Sequence, residues 1–208
     1  MGRLQMLLNS ARNLTPDAGR GKQGIAVSKP KIEIREATPA DARKLNAFTR
    51  AIFATSRHLI TREIEYAMGP FKQRLWIAKK QANKLETCLV ATASGQIVGM
   101  IDNWTDRRSR VAHGTCFAMS VSEHWREKGV GSALLSAFII WVQENPTLTR
   151  IELHVHSDNH AAIKLYERIG FEREGVRKKA VRYEDGRIVD DIIMALWPQS
   201  DYKMGPEI

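Results

Sequence analysis

The chain has 208 residues, 43% hydrophobic and 26% charged, enough for one mid-sized globular domain with a tail. No apolar run approaches the roughly 20 residues that cross a bilayer, and Met6-Leu7-Leu8 is far shorter than a secretory core, so neither a membrane span nor a secreted protein is expected. The net charge is +9, of which Arg3, Arg12, Arg20, Lys22, Lys29 and Lys31 against Asp17 place +5 within residues 1–31.

That first segment is rich in Gly, Asn, Ser and Lys and reads as a basic, disordered tail. A solvated tail or leader is the simpler interpretation; a polyanion-binding arm or a transit segment is the sharper one. Regular structure begins at Ile32-Glu33-Ile34-Arg35, an alternating short strand. Thr38 then caps a helix with Pro39 at its first position and Asp41 in its first turn, and residues 41–80 read as helical with a break at Gly69-Pro70. Leu85 to Ala93 and Gln96 to Trp104 are strands around the turn Ser94-Gly95. Cys88 and Cys116 lie in strand-like stretches outside any C-x-x-C pair, so buried free thiols in a reducing, cytoplasmic compartment are expected.

Arg107, Arg108 and Arg110 mark a polar loop, and His113 to Val121 is the next strand. The helix from Val130 to Gln143 carries Val130, Ala133, Leu134, Ala137, Phe138 and Trp141 on one stripe. Ile151, Leu153 and Val155 alternate with Glu152, His154 and His156, which share the other face of a strand. Asn159 caps a helix over 160–169 that Gly170 ends, and Phe171 to Trp197 contains a hairpin turning at Asp185-Gly186. Interspersed helices and hairpins give an α/β fold with a mixed sheet.

Between the strand ending at Val121 and the strong helix stands Arg126-Glu127-Lys128-Gly129-Val130-Gly131. Glycines let the backbone approach a phosphate, helix N–H groups and the dipole favour an anion, and Arg126 and Lys128 add full charges. The G-x-x-x-x-G-K-[ST] pattern is absent, and G-x-G-x-x-G fails at Leu134. A strand–helix turn that uses glycine for tight geometry is the plain alternative.

These residues, with Ser132-Ala133-Leu134-Leu135, resemble the acyl-CoA-binding motif of the GNAT superfamily of N-acetyltransferases. The segment from Asn159 to Phe171 resembles its second signature, and Ile34 to Asp41 its usual opening. The resemblance runs over about 32–197, and the ending from Glu174-Gly175 through Asp190-Asp191 to Leu196 is similar to the branch acting on amino acids, protein N-termini and small amines. It implies a predominantly antiparallel sheet with flanking helices in a domain spanning 32–198, with 199–208 as a tail. It also implies a cytoplasmic N-acetyltransferase that moves an acetyl group from acetyl-CoA to a primary amine.

By the same resemblance, Met119 and Val121 pair with the pantetheine arm, Arg126, Glu127, Lys128, Gly129, Val130, Gly131 and Ser132 hold the pyrophosphate, and Asn159 touches the cosubstrate. Tyr166 is the general acid for the leaving thiolate, although its helical spacing with Ala162, Leu165 and Ile169 also suits a core aromatic. His154 stands where some relatives carry a catalytic glutamate, and its ordinary pKa of about 6.5 suits a base. No metal is implied. The partners expected are a small-molecule or peptide amine, with a homodimer open and nucleic acid tied only to the basic tail. The alternative is a non-catalytic acyl-CoA-binding regulatory module.

Overall fold

The alternation of Ile32 and Ile34 with Glu33 and Arg35 becomes strand β1, Ile32–Glu36, in the computed structural model, which describes residues 31–198. The expectations for the basic N-terminal segment and the C-terminal tail lie outside the described residues. After β1 the chain turns through Pro39–Asp41, and Asp41 secures the turn. Its Oδ2 accepts the Thr38 N–H at 2.8 Å and the Thr38 hydroxyl at 3.0 Å, while Arg35 donates to both carboxylate oxygens at 2.7 and 2.8 Å. The Arg35 hydrogen bonds hold the Asp41 carboxyl well below its ordinary value of 3.8.

A carboxyl with a depressed folded-state value stabilises fully above its unfolded value and loses that contribution as the pH falls through the acid range. Asp41→Ala is therefore expected to cost about 1–2 kcal/mol at neutral pH. It should also flatten the acid side of the melting temperature against pH, and an unchanged acid slope would remove Asp41 as its source.

Helix α1 runs over Ala42–Thr55 and helix α2 over Pro70–Ala82, with Gly69 as N-cap and Pro70 at the first position. The helical stretch predicted over 41–80 is thus broken across residues 56–69, with only a short turn at Glu63–Glu65, rather than at Gly69-Pro70 alone. The reason is burial: Ile60 and Ile64 are 74% and 86% exposed and only Leu59 packs on the core, so the segment lacks the continuous apolar stripe that a helix would lay on the sheet. It is tied down by Leu59, by the Tyr66 ring 4.9 Å from Phe53, and by polar contacts. Asn46 Nδ2 donates to Met68 O at 2.8 Å, and Tyr66 Oη donates to Gln73 Oε1 at 2.9 Å.

Strands β2 (Cys88–Ala93) and β3 (Gln96–Thr105) form the expected hairpin, with Ser94 and Gly95 at φ 49° and 75°. There follow β4 (Gly114–Val121), α3 (Val130–Gln143), β5 (Arg150–His156), α4 (His160–Ile169), β6 (Glu172–Arg182) and β7 (Ile188–Leu196). The sheet order is β1-β2-β3-β4-β5-β7-β6, and every pairing is antiparallel except β4 with β5. The mixed α/β architecture with a mostly antiparallel sheet is as expected.

Alternation in the strands feeds two cores. Leu45, Phe48 and Ile52 of α1 and Ile77 of α2 pack with Cys88, Val90 and Ile97. Helices α3 and α4 pack with Leu89, Ile101, Phe117, Ile151, Leu153 and Met194. Helix α3 buries a wider arc than its predicted stripe: Leu135, Ile139 and Val142 join Val130, Leu134 and Phe138, while Ala133, Ala137 and Trp141 are partly buried at its margin. Lying across a broad sheet, the helix meets apolar surface on more than one flank. Its approach is close, since a Cβ at Gly99 would stand 2.9 Å from Leu134 Cδ1.

Candidate functional site

Strands β4 and β5 share register only from Gly114↔Arg150 to Cys116↔Glu152, although β4 continues to Val121 and β5 to His156. Beyond that point each keeps its outer neighbour: Val121 still faces Gly99 of β3, and His156 still faces Asp191 of β7. The sheet therefore opens as a wedge, and among the described residues no strand pairs the inner edge of Phe117–Val121. An unpaired edge of this kind is a template for an extended ligand that carries amides.

The wedge leads to the loop between β4 and α3. Glu127 and Gly129 adopt φ values of 58° and 80°, and α3 starts on Gly129 with no side-chain cap on its first turn. Three cations ring these amides. Arg126 Nε donates to Val121 O at 3.3 Å, Lys128 lies over Trp125 at 5.7 Å, and Arg168 Nη2 reaches from α4 to Ser132 Oγ at 3.1 Å. A Cβ on Gly131 would sit 3.4 Å from Leu165 and 3.7 Å from Met119, so the helix start rests directly on α4 and β4. Left-handed backbone, uncapped N–H groups and positive charge together suit a diphosphate.

The residues predicted to hold the cosubstrate fall along one line: Met119 and Val121 on the unpaired part of β4, and Arg126 through Ser132 on the loop and first helical turn. Asn159 starts α4, where its Oδ1 accepts the Ala162 N–H at 3.4 Å. Arg168 escaped sequence reading, because only the packing of α4 on α3 brings it here.

Tyr166 is buried behind the root of the wedge. Its ring meets Phe117, the first β4 residue past the paired segment, edge-on at 5.9 Å. Burial pushes its phenol up to about 12, so it keeps its proton through the neutral range. Both the core and the chemical expectations for this residue fit that position.

His154 and His156 do share a face of β5, with different surroundings. His154 Nδ1 is 2.8 Å from Asp191 Oδ2 and its Nε2 is 3.5 Å from Glu152 Oε1. His156 is buried, and its Nδ1 lies 2.8 Å from Tyr183 Oη, which donates to Asp158 Oδ1 at 2.9 Å. The 56–69 segment closes over this corner through His58, 3.7 Å from Asp158, and Arg62, 3.9 Å from Glu184. Sequence reading missed His58, Asp158, Tyr183 and Asp191 as one cluster, since nothing local joins them.

The remaining candidates lie apart from this chemistry. Cys88 is a buried free thiol, whereas Cys116 is only half-buried, with Sγ 3.6 Å from Glu152 Oε1. Burial, then that carboxylate, pushes the Cys116 thiol up to about 11, which keeps it a poor nucleophile. Arg107, Arg108 and Arg110 are exposed, and Arg108 is engaged by Asp106 at 2.6 Å. Among the described residues no cluster of His, Cys, Asp and Glu is placed to hold a metal, and no helix is long and apolar enough to cross a membrane.

Comparison with known proteins gives concordant findings. The model of the Acetyltransferase (GNAT) family matches residues 53–171. The L-amino acid N-acetyltransferase AaaT of Escherichia coli is 40% identical over 108 residues, a match covering 51% of this chain and 65% of that protein, so the chain spans a little under two thirds of that relative. A GNAT-family acetyltransferase from Streptococcus pneumoniae superposes with a TM-score of 0.78 at 28% identity, covering 80% of this chain and 99% of that one. A phosphinothricin acetyltransferase from Sinorhizobium meliloti, solved in complex with acetyl-CoA, superposes at 0.69 with 19% identity, over 85% of this chain and 93% of that one.

Proposed function

This chain belongs to the GNAT family of acetyltransferases, and on that premise we propose that it transfers the acetyl group of acetyl-CoA to the primary amine of an amino acid, a peptide N-terminus or a related small molecule. One observation carries the reading: an unpaired stretch of β4 runs from an uncapped, cation-ringed helix start to a buried tyrosine. The amides of Gly129 to Ser132, with Arg126, Lys128 and Arg168, would hold the diphosphate. The inner edge of Phe117–Val121 would hydrogen-bond the pantetheine arm and aim the thioester at Tyr166. Tyr166 would give its proton to the sulfur as the amine displaces it. Holding both reactants in line supplies about 7–11 kcal/mol of barrier reduction without any covalent intermediate on the protein. The named activity of the Escherichia coli relative supports an amino-acid-like acceptor.

Calorimetric titration with acetyl-CoA tests the reading. Binding is expected, and replacing Arg126 and Lys128 together by Ala should weaken it about 10- to 100-fold, more at low salt. A folded protein that takes up no acetyl-CoA overturns it.

A further inference from the structure

We propose that His156 is the base that removes the proton from the acceptor's ammonium group, with Tyr183 and Asp158 as positioning residues. The assignment rests on the acetyl-transfer reading above and adds to it the group that acts on the amine.

Tyr183 Oη stands 2.9 Å from Asp158 Oδ1 and 2.8 Å from His156 Nδ1, yet a phenol has one proton. An ionised carboxylate only accepts, so the phenol proton goes to Asp158. His156 must then be the donor to Tyr183, which fixes its proton on Nδ1 and leaves the lone pair on Nε2. Among the described residues nothing hydrogen-bonds that Nε2. His154 differs, because both of its ring nitrogens face carboxylates, at 2.8 and 3.5 Å.

The position suits the task. His156 is the last residue of β5, on the wall of the wedge that has left β4, beneath the corner where the 56–69 segment meets the β6–β7 turn. The titratable and charged groups around it are His58, whose ring stands 6.3 Å away, Asp158 with Arg187 at 3.5 Å, Tyr183 on the β6–β7 turn, and Asp191 on β7 with Arg177 at 3.1 Å. Burial lowers the His156 value against the pull of Asp191 and Asp158, so the imidazole is neutral and able to accept at neutral pH. Asp191 Oδ1 is buried with no hydrogen-bond partner among the described residues, while its Oδ2 is held by His154 Nδ1 at 2.8 Å and Arg177 Nη1 at 3.1 Å.

The protons balance. One leaves the substrate ammonium for His156 Nε2, and the free amine forms the C–N bond as the C–S bond breaks. The second nitrogen-bound proton replaces the one that Tyr166 gives to sulfur, and His156 returns its own to solvent.

The test uses the full chain, acetyl-CoA, and a panel of L-amino acids and an alanyl peptide, with thiol release followed across pH. His156→Asn keeps an N–H where Nδ1 donates but has no base. It should lower kcat/KM about 100- to 10,000-fold near neutrality. The acid limb of the profile should give way to a rise proportional to hydroxide, with acetyl-CoA affinity unchanged. Tyr183→Phe should displace the acid limb without altering that affinity. A folded His156→Asn protein with wild-type kcat/KM, or with reduced activity and an unmoved acid limb, overturns the proposal. Nitrogen NMR of the wild-type ring decides independently of any variant's folding: a proton on Nδ1 is expected, and one on Nε2 overturns the assignment. Absence of acetyl-CoA binding by the wild type is the distinct result that takes down the functional reading itself.

Discussion

Tyr166→Phe is expected to lower kcat about 100- to 10,000-fold while the KM for acetyl-CoA and the melting temperature stay near wild type. The substitution deletes one oxygen and keeps the ring, so the contacts with Phe117 at 5.9 Å and Phe171 at 5.7 Å persist. Those contacts hold the packing, and the proposed proton transfer to the departing thiolate would fall to the hydroxyl alone. With its phenol raised to about 12, Tyr166 stays protonated wherever the protein is assayed, so it imposes no alkaline fall of its own on the rate. The acid limb is then left to the group that takes the amine's proton, which makes the two roles separable in one pH series. A Phe variant that turns over at the wild-type rate would hand the sulfur's proton to solvent and return Tyr166 to the core.

The largest effect on stability is expected from Phe138→Ala, at about 3–5 kcal/mol. For a domain of this size that corresponds to a fall in melting temperature on the order of 10 °C. Phe138 is fully buried in the middle of α3, stacks on Trp141 at 6.0 Å and leans on Phe117 at 5.5 Å. Neighbours on several elements hold the cavity walls apart, so the site has little freedom to collapse. Because Phe117 also backs Tyr166, the truncation should reduce turnover in protein that is still folded. A loss below about 1 kcal/mol in chemical denaturation would mean the surrounding side chains refill the space.

How much was legible in the sequence depended on how local the cause was. Helices α3 and α4 begin and end where expected because their signals are local: an apolar period, an Asn cap that accepts the Ala162 N–H, and Gly170 at φ 106°. The turns at Ser94-Gly95 and Asp185-Gly186 were readable for the same reason, Gly95 and Gly186 both lying at positive φ. The irregular 56–69 segment was not, because which of its apolar residues meets the core, Leu59 rather than Ile60 or Ile64, depends on the elements packed beneath it. The Arg126 to Gly131 loop was visible as a motif, whereas Arg168 reaches Ser132 only through the packing of two helices. Alternation placed His154 and His156 on one face but said nothing of which neighbour each would meet. Asp191 and Tyr183 arrive because β7 inserts between β5 and β6, an order that no stretch of sequence announces.

The short parallel junction also divides the sheet mechanically. Strands β1 to β4 form one plate and β5, β7 and β6 another, riveted by three residue pairs at one end and by the side chains of α3 and α4 along the back. Breathing motions should concentrate along that seam, where main-chain rungs are missing. A strand-like guest would act as a keystone, lending the absent rungs and locking the plates together. The stiffness of the sheet would then follow the concentration of its guest by mass action, so that supply of the small molecule would set how rigid the catalyst is.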